Sequence, residues 1–250
     1  MKTKSIVCIH GFGRHPGGRK PGFSAALRRN VEGRLGAKTV WKEVLWDDLL
    51  GSPDSFGTLD LALQTPALVR AFYEGREGDA VRARVAEAVR AASAEAGGAP
   101  VVLVGHSFGA AIAYETLARG LAPEAKSLVM LAPPMRLFAD PGAFASRAAD
   151  SMAPGLGLLV GAFSSVAGAV ADFPEVCGGR IPGDVAALSL RSPDDWFAAP
   201  LGEAFPDVAE REVLPPPGTR GGANHRFYWS SPEVAESVAA AAEGTRSRPG

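Results

Sequence analysis

The stretch Val101–Gly120, VVLVGHSFGAAIAYETLARG, restricts what this chain can fold into more than any other. Four apolar, β-prone residues lead into Gly-His-Ser-Phe-Gly, and an alanine-rich run of helical character follows. A serine between two glycines, where a strand turns sharply into a helix, is held in strained backbone geometry and pushed out above the sheet. Side chains on its neighbours would clash with the adjoining strand and helix. Gly105 and Gly109 meet that demand, and Ala110, Ala111 and Ala113 let the helix pack closely on the sheet. The free N–H groups at the start of the helix favour negative charge developing beside Ser107. The five-residue pattern alone is weak. With 30 glycines in 250 residues, chance would supply it about 0.2 times, from composition alone. The strand before it and the helix after it make it specific.

The rest of the chain alternates in the same way. Strands are expected at Ser5–Ile9, Thr39–Leu45, Val101–Val104, Ser127–Leu131 and Val185–Leu190, with a weaker one at Arg211–Leu214. A helix is expected over Asp79–Ala96, capped by Asp79 and stopped by Gly97 and Gly98. Val81, Val85, Ala88, Val89 and Ala92 form its apolar stripe. A last helix follows Ser231-Pro232 and runs through Val234, Val238 and Ala239, and the tail beyond Glu243 reads as frayed. Alternating strands and helices imply an α/β domain over residues 1–250, with a mostly parallel sheet covered on both faces.

Two stretches interrupt the alternation, Gly51–Gly78 and Pro133–Gly183. Both read as insertions at strand ends, where α/β proteins bind ligands. Within the second, Ser151–Ala171 carries no charge. Its Gly, Ala and Ser content, its proline and the aspartates just outside it argue against a membrane span. It reads as a helical cap whose apolar residues line an acyl pocket, or as a helix packed only for structure. Leu59–Tyr73 is a second amphipathic candidate near the mouth.

Composition narrows the function. A formal net charge of −1 without a long basic run argues against a nucleic-acid footprint. The 4 histidines are scattered, which leaves no metal cluster, and nothing calls for a cofactor. Cys8 and Cys177 read as lone thiols. The N-terminal MKTKSIVCIHGF has too short an apolar run for a signal peptide, so a cytoplasmic location is the default expectation. The sequence carries no signal for oligomeric state.

Serine chemistry needs two more parts. Negative charge developing on a carbonyl oxygen needs paired backbone N–H donors. One comes from Phe108, directly after the serine. The other is expected from Phe12, in the His10-Gly11-Phe12-Gly13 loop after the first strand. A serine hydroxyl also needs a base. His10 and His106 belong to the two turns and His15 to the loop beyond the first, so His225 is the histidine downstream of Ser107. A carboxylate to orient it is then expected just past a strand, where ALSLRSPDDWF supplies Asp194 and Asp195.

With these residues the chain resembles the α/β-hydrolase superfamily. The resemblance rests on His10-Gly11-Phe12-Gly13, Gly105-His106-Ser107-Phe108-Gly109, Asp194-Asp195 and His225, spread over nearly the whole chain. It looks most like the small bacterial lipase and esterase branch, since it begins directly at the strand leading to the oxyanion loop. The resemblance implies a sheet of about six parallel strands. It implies an acyl-enzyme on Ser107, hydrolysed by water that His225 activates. Members of the superfamily usually carry a small residue three positions before the acid and an apolar residue two positions after it. Ser192 and Phe197 fit Asp195 better than Arg191 and Trp196 fit Asp194, so Asp195 is the expected acid and Asp194 the alternative. The expected substrate is a small-molecule acyl ester. A thioesterase acting on carrier-bound acyl chains is the second reading, because GHSFGAAIAYETLARG also resembles the elbow and helix of such enzymes. The same triad serves some peptidases and perhydrolases. A catalytically silent ligand-binding homologue is the non-enzyme alternative.

Overall fold

The computed structural model describes residues 3–12, 22–50, 67–136, 179–195, 197–219 and 223–244. Its framework is a six-stranded open sheet built from β1 (Lys4–Ile9), β2 (Thr39–Val44), β3 (Val101–His106), β4 (Ala125–Leu131), β5 (Ala186–Arg191) and β6 (Val208–Glu212). The strand order is β2-β1-β3-β4-β5-β6, and every pairing is parallel.

The strand residues explain the layering. Successive side chains point to opposite faces, so a strand buried on both faces is apolar throughout. Val7 and Ile9 of β1, Val101 and Leu103 of β3, and Leu128 and Met130 of β4 face one core. Ile6 and Cys8, Val102 and Val104, and Val129 and Leu131 face the other. The first core is closed by α2 (Arg76–Glu95) and α3 (Phe108–Ala118), the second by α1 (Ala25–Leu35) and α4 (Pro232–Glu243). Cys8 is a buried free thiol whose ionisation burial pushes well up.

The expected elements appear with shifted bounds, and each shift has a local cause. The helix expected from Asp79 begins at Arg76, with Gly75 at its N-cap. Asp79 does not cap it; its carboxylate takes a 2.6 Å bond from buried Arg82, which also donates to the Phe72 carbonyl. Gly78 lies inside this helix at a position only glycine fits, since a Cβ there would overlap the Phe72 backbone. Residues 67–74, the end of the second amphipathic candidate, are helical and bury Leu68, Val69, Phe72 and Tyr73 in the first core. The last strand lies three residues earlier than expected, since Val208 is buried beside Ala187 whereas Leu214 is 66% exposed.

Helix α1 has no counterpart among the sequence expectations. It buries only Leu27 and Val31, and its start is capped from another element. The Glu43 carboxylate on β2 accepts from the backbone N–H groups of Gly22 and Ser24 and from the Ser24 hydroxyl. Helix α4 has the cap the sequence announces, with Ser231 Oγ accepting from the Val234 N–H and proline at the first position. Among the described residues, no helix is long and apolar enough to cross a membrane. The expected cap at Ser151–Ala171, Cys177 and the first part of Gly51–Gly78 lie outside the described residues.

The order β2-β1-β3 means that the chain leaves β1 towards one edge and returns on the other side. The carboxyl ends of β1 and β3 therefore meet at a switch point, where open α/β sheets leave a crevice.

Candidate active site

Ser107 stands at that switch point, between the end of β3 and the first turn of α3, with φ 53° and ψ −127°. A non-glycine residue at positive φ costs of order 1–3 kcal/mol and persists only where its surroundings over-determine it. Here they do. A Cβ on Gly105 would overlap the backbone of Gly109 and Ala110, and one on Gly109 would overlap the His10 and Ile9 carbonyls. The Ser107 N–H donates to the Leu131 carbonyl at 2.8 Å. Strand, elbow and helix are thus packed backbone against backbone.

The loop after β1 lies against the serine. A Cβ on Gly11 would come within 2.6 Å of Ser107 Cβ and 3.2 Å of its Oγ, so only glycine lets this loop approach. His10 fixes the loop. Its Nδ1 donates to the Gly11 carbonyl at 2.6 Å, its Nε2 lies 3.1 Å from an Asp47 carboxylate oxygen, and its own carbonyl accepts from Trp46 Nε1 at 2.9 Å. The rings of Phe12 and Phe108 stack at 4.3 Å, and Trp46 packs edge-on against both. The two residues expected to supply backbone donors are therefore neighbours through their side chains. The Phe108 N–H belongs to the first turn of α3, where N–H groups lack intrahelical acceptors.

His225 and Asp195 meet from two other loops. Asp195 follows β5 and is 1% exposed; His225 precedes a short 3-10 turn (Phe227–Ser230) that leads into α4. His225 Nδ1 lies 2.9 Å from Asp195 Oδ2 and 3.1 Å from Oδ1. Two further donors share the carboxylate, the Tyr228 hydroxyl at 3.0 Å and the Phe197 N–H at 3.2 Å. A buried carboxylate is tolerable only when its oxygens are bonded in this way. With Nδ1 donating to Asp195, the lone pair of His225 is on Nε2. Asp194, the alternative acid, is exposed, and its backbone carbonyl accepts from Asn224 Nδ2 at 3.4 Å.

The structure thus joins His225 to Asp195 directly and sets Gly11 and the Phe12–Phe108 pair around Ser107. No hydrogen bond links Ser107 Oγ to His225 among the described residues. Such bonds are often long in unliganded sites and tighten with substrate. The two histidines nevertheless face each other across the elbow, with the His106 and His225 rings 4.9 Å apart.

Tyr228 and His106 play parts here that the sequence did not announce. The Tyr228 hydroxyl accepts from the Ser192 N–H at 2.8 Å while donating to Asp195. Burial, and then the charge of Asp195, push its ionisation far above the ordinary phenol range. The neutral phenol therefore favours the fold at pH values below its unfolded pKa of about 10, and that contribution fades as pH rises beyond it. Tyr228→Phe is expected to cost about 1–3 kcal/mol at neutral pH, since Asp195 and Ser192 each lose a buried partner. Urea unfolding from pH 7 to 11 checks this. The gap between wild type and variant narrows above pH 10, and a constant gap would separate Tyr228 ionisation from stability.

No protein-family model and no curated protein matches the sequence. Solved structures do match its fold. The chain is similar to the pyrethroid hydrolase PytH, with 19% identity over 96% of this chain and 98% of that one, at a TM-score of 0.50. Other matches include a hydrolase from Oleispira antarctica, with 15% identity over 96% and 91% of the two chains and a TM-score of 0.45. A proline iminopeptidase from Mycobacterium smegmatis matches with 17% identity over 96% and 89% and a TM-score of 0.44. With its open parallel sheet in the order β2-β1-β3-β4-β5-β6, its strand-to-helix elbow and its end-to-end match to PytH, the chain has the α/β-hydrolase fold.

Proposed function

We propose that this protein is a serine hydrolase that cleaves carboxylic esters of small molecules through an acyl-enzyme on Ser107. The pairing of His225 Nδ1 with buried Asp195 at 2.9 Å carries the reading, because it leaves Nε2 as a base on a loop beside the elbow. His225 takes the Ser107 proton as Oγ attacks the ester carbonyl, then gives it to the leaving alcohol. Water, deprotonated by the same nitrogen, attacks the acyl carbonyl; the bond to Ser107 Oγ breaks, Oγ takes the proton back from His225, and the acid leaves. Asp195 holds the tautomer and stabilises the imidazolium. The Phe12 and Phe108 N–H groups receive the oxyanion, supported by the closeness of Gly11 to Ser107 and by the stacked rings.

A fluorophosphonate probe tests the mechanism, and p-nitrophenyl esters beside acyl thioesters of graded chain length test the substrate. Stoichiometric labelling of Ser107 with turnover of esters is the expected result. Labelling with turnover of thioesters only would shift the assignment to a thioesterase. Absence of labelling would leave a receptor built on the same fold.

A further inference from the structure

The proposed base sits on an unpromising segment. Between Val213 and Ala223 the chain reads VLPPPGTRGGA, with neither strand nor α-helix among its described residues. Asp195 fixes the ring of His225 at Nδ1, but one bond to a ring nitrogen leaves the backbone free to shift or tilt about it. The Asn224 amide adds one bond, 3.4 Å long, to the loop that carries the acid. Neither tie refers the base to the nucleophile.

His106 supplies that reference. It is the last residue of β3 and the immediate neighbour of Ser107, and it is 6% exposed. Its Nε2 donates to the His225 carbonyl oxygen at 2.6 Å, across a sequence separation of 119 residues. The ring is enclosed by His225 at 4.9 Å, Trp229 at 5.5 Å and Tyr228 at 6.0 Å between centroids, which limits its rotation. The backbone of β3 is fixed in turn by its pairing with β1 and β4.

We infer that His106 is a positioning residue that sets the distance between base and nucleophile by tying the His225 backbone to the elbow; this rests on the Ser107–His225–Asp195 reading above. The side chain before the nucleophile then measures out the gap across which the proton passes. Proton transfer depends steeply on that gap, and a misplacement near 1 Å costs about 10²-fold in rate. Substrate binding does not depend on it. The loss therefore falls on kcat and leaves KM alone.

The test compares His106→Leu with His106→Gln, whose amide nitrogen reaches the position of Nε2 and can donate the same bond. Ser107→Ala is the control for the underlying reading, with p-nitrophenyl acetate as substrate and thermal unfolding monitored throughout. The expected result is a fall in kcat of at least ~30-fold for His106→Leu at unchanged KM, with His106→Gln within ~5-fold of wild type. Wild-type kcat in His106→Leu overturns the inference, as does equal damage in both variants or a loss that only tracks the fraction unfolded. If Ser107→Ala also stays active, the serine-hydrolase reading itself fails, which is a separate outcome from failure of His106 alone.

Discussion

Ser107→Ala is expected to lower kcat by at least ~10³-fold and to leave the fold intact, because in the proposed mechanism nucleophile and base act as a unit. The second half of that statement follows from the geometry. Alanine keeps the Cβ that faces Gly11, and it removes only Oγ, which holds no partner that the elbow depends on. The positive φ is enforced by the backbone packing of Gly105 and Gly109, not by the hydroxyl. Ester turnover and thermal unfolding, measured side by side, check both halves. Near-native turnover would remove Ser107 from the mechanism, and a collapse in melting temperature would show that Oγ serves the fold.

Asp195→Asn should be almost as damaging, with a loss of about 10³–10⁴ in kcat by analogy with triads of the same geometry. An amide in place of Asp195 no longer stabilises imidazolium. It also adds two donor hydrogens to a pocket whose other members, Tyr228 Oη and the Phe197 N–H, already donate. The least costly rearrangement turns the amide so that a hydrogen points at His225, which then holds its proton on Nε2, the nitrogen that has to accept. Asp194→Asn is the matched comparison. Its side chain is exposed and its link to the His225 loop is through the backbone carbonyl, so activity should stay within a few-fold of wild type. A crippled Asp194 variant beside an active Asp195 variant would move the acid by one residue.

How much of this could be read in advance depended on how local each signal was. The elbow was legible because its requirements are met within five residues: two glycines with a serine between them, where β3 turns into α3. The last helix was legible because Ser231 and Pro232 cap it from within. Helix α1 was not, because its cap is Glu43, which follows it in the chain and belongs to β2. The start of α2 differs because Asp79 reads as a cap, whereas its carboxylate is taken by Arg82 one turn into the helix and Gly75 stands at the N-cap. At the site, position past β5 leaves Asp194 and Asp195 both open, and it is the resemblance to α/β-hydrolases, through Ser192 and Phe197, that favours Asp195, whose Oδ2 lies 2.9 Å from His225 Nδ1. Tyr228 carries no such signal although it lies three residues beyond His225. An aromatic run such as Phe227-Tyr228-Trp229 reads as core packing, and nothing in sequence marks the hydroxyl that turns back to the acid. His106 likewise looked like part of a turn, because its partner is a backbone carbonyl far along the chain.

Every pairing in the sheet is parallel, and this shapes how the molecule must come into being. Parallel neighbours cannot be joined by a tight hairpin, so each ladder waits for a crossover segment to be traversed and packed. The longest interval between consecutive strands runs from Val44 at the end of β2 to Val101 at the start of β3, and that from Leu131 of β4 to Ala186 of β5 is nearly as long. Chains dominated by such distant contacts fold slowly, with unpaired strand edges exposed to other molecules meanwhile. Ser107, Asp195 and His225, the proposed triad, lie beyond the ends of β3, β5 and β6, so they come together only once β3 to β6 have paired. On dilution from denaturant, helical signal is expected to return first and the proposed ester turnover last, and the interval between them is the period in which this protein is most vulnerable to aggregation.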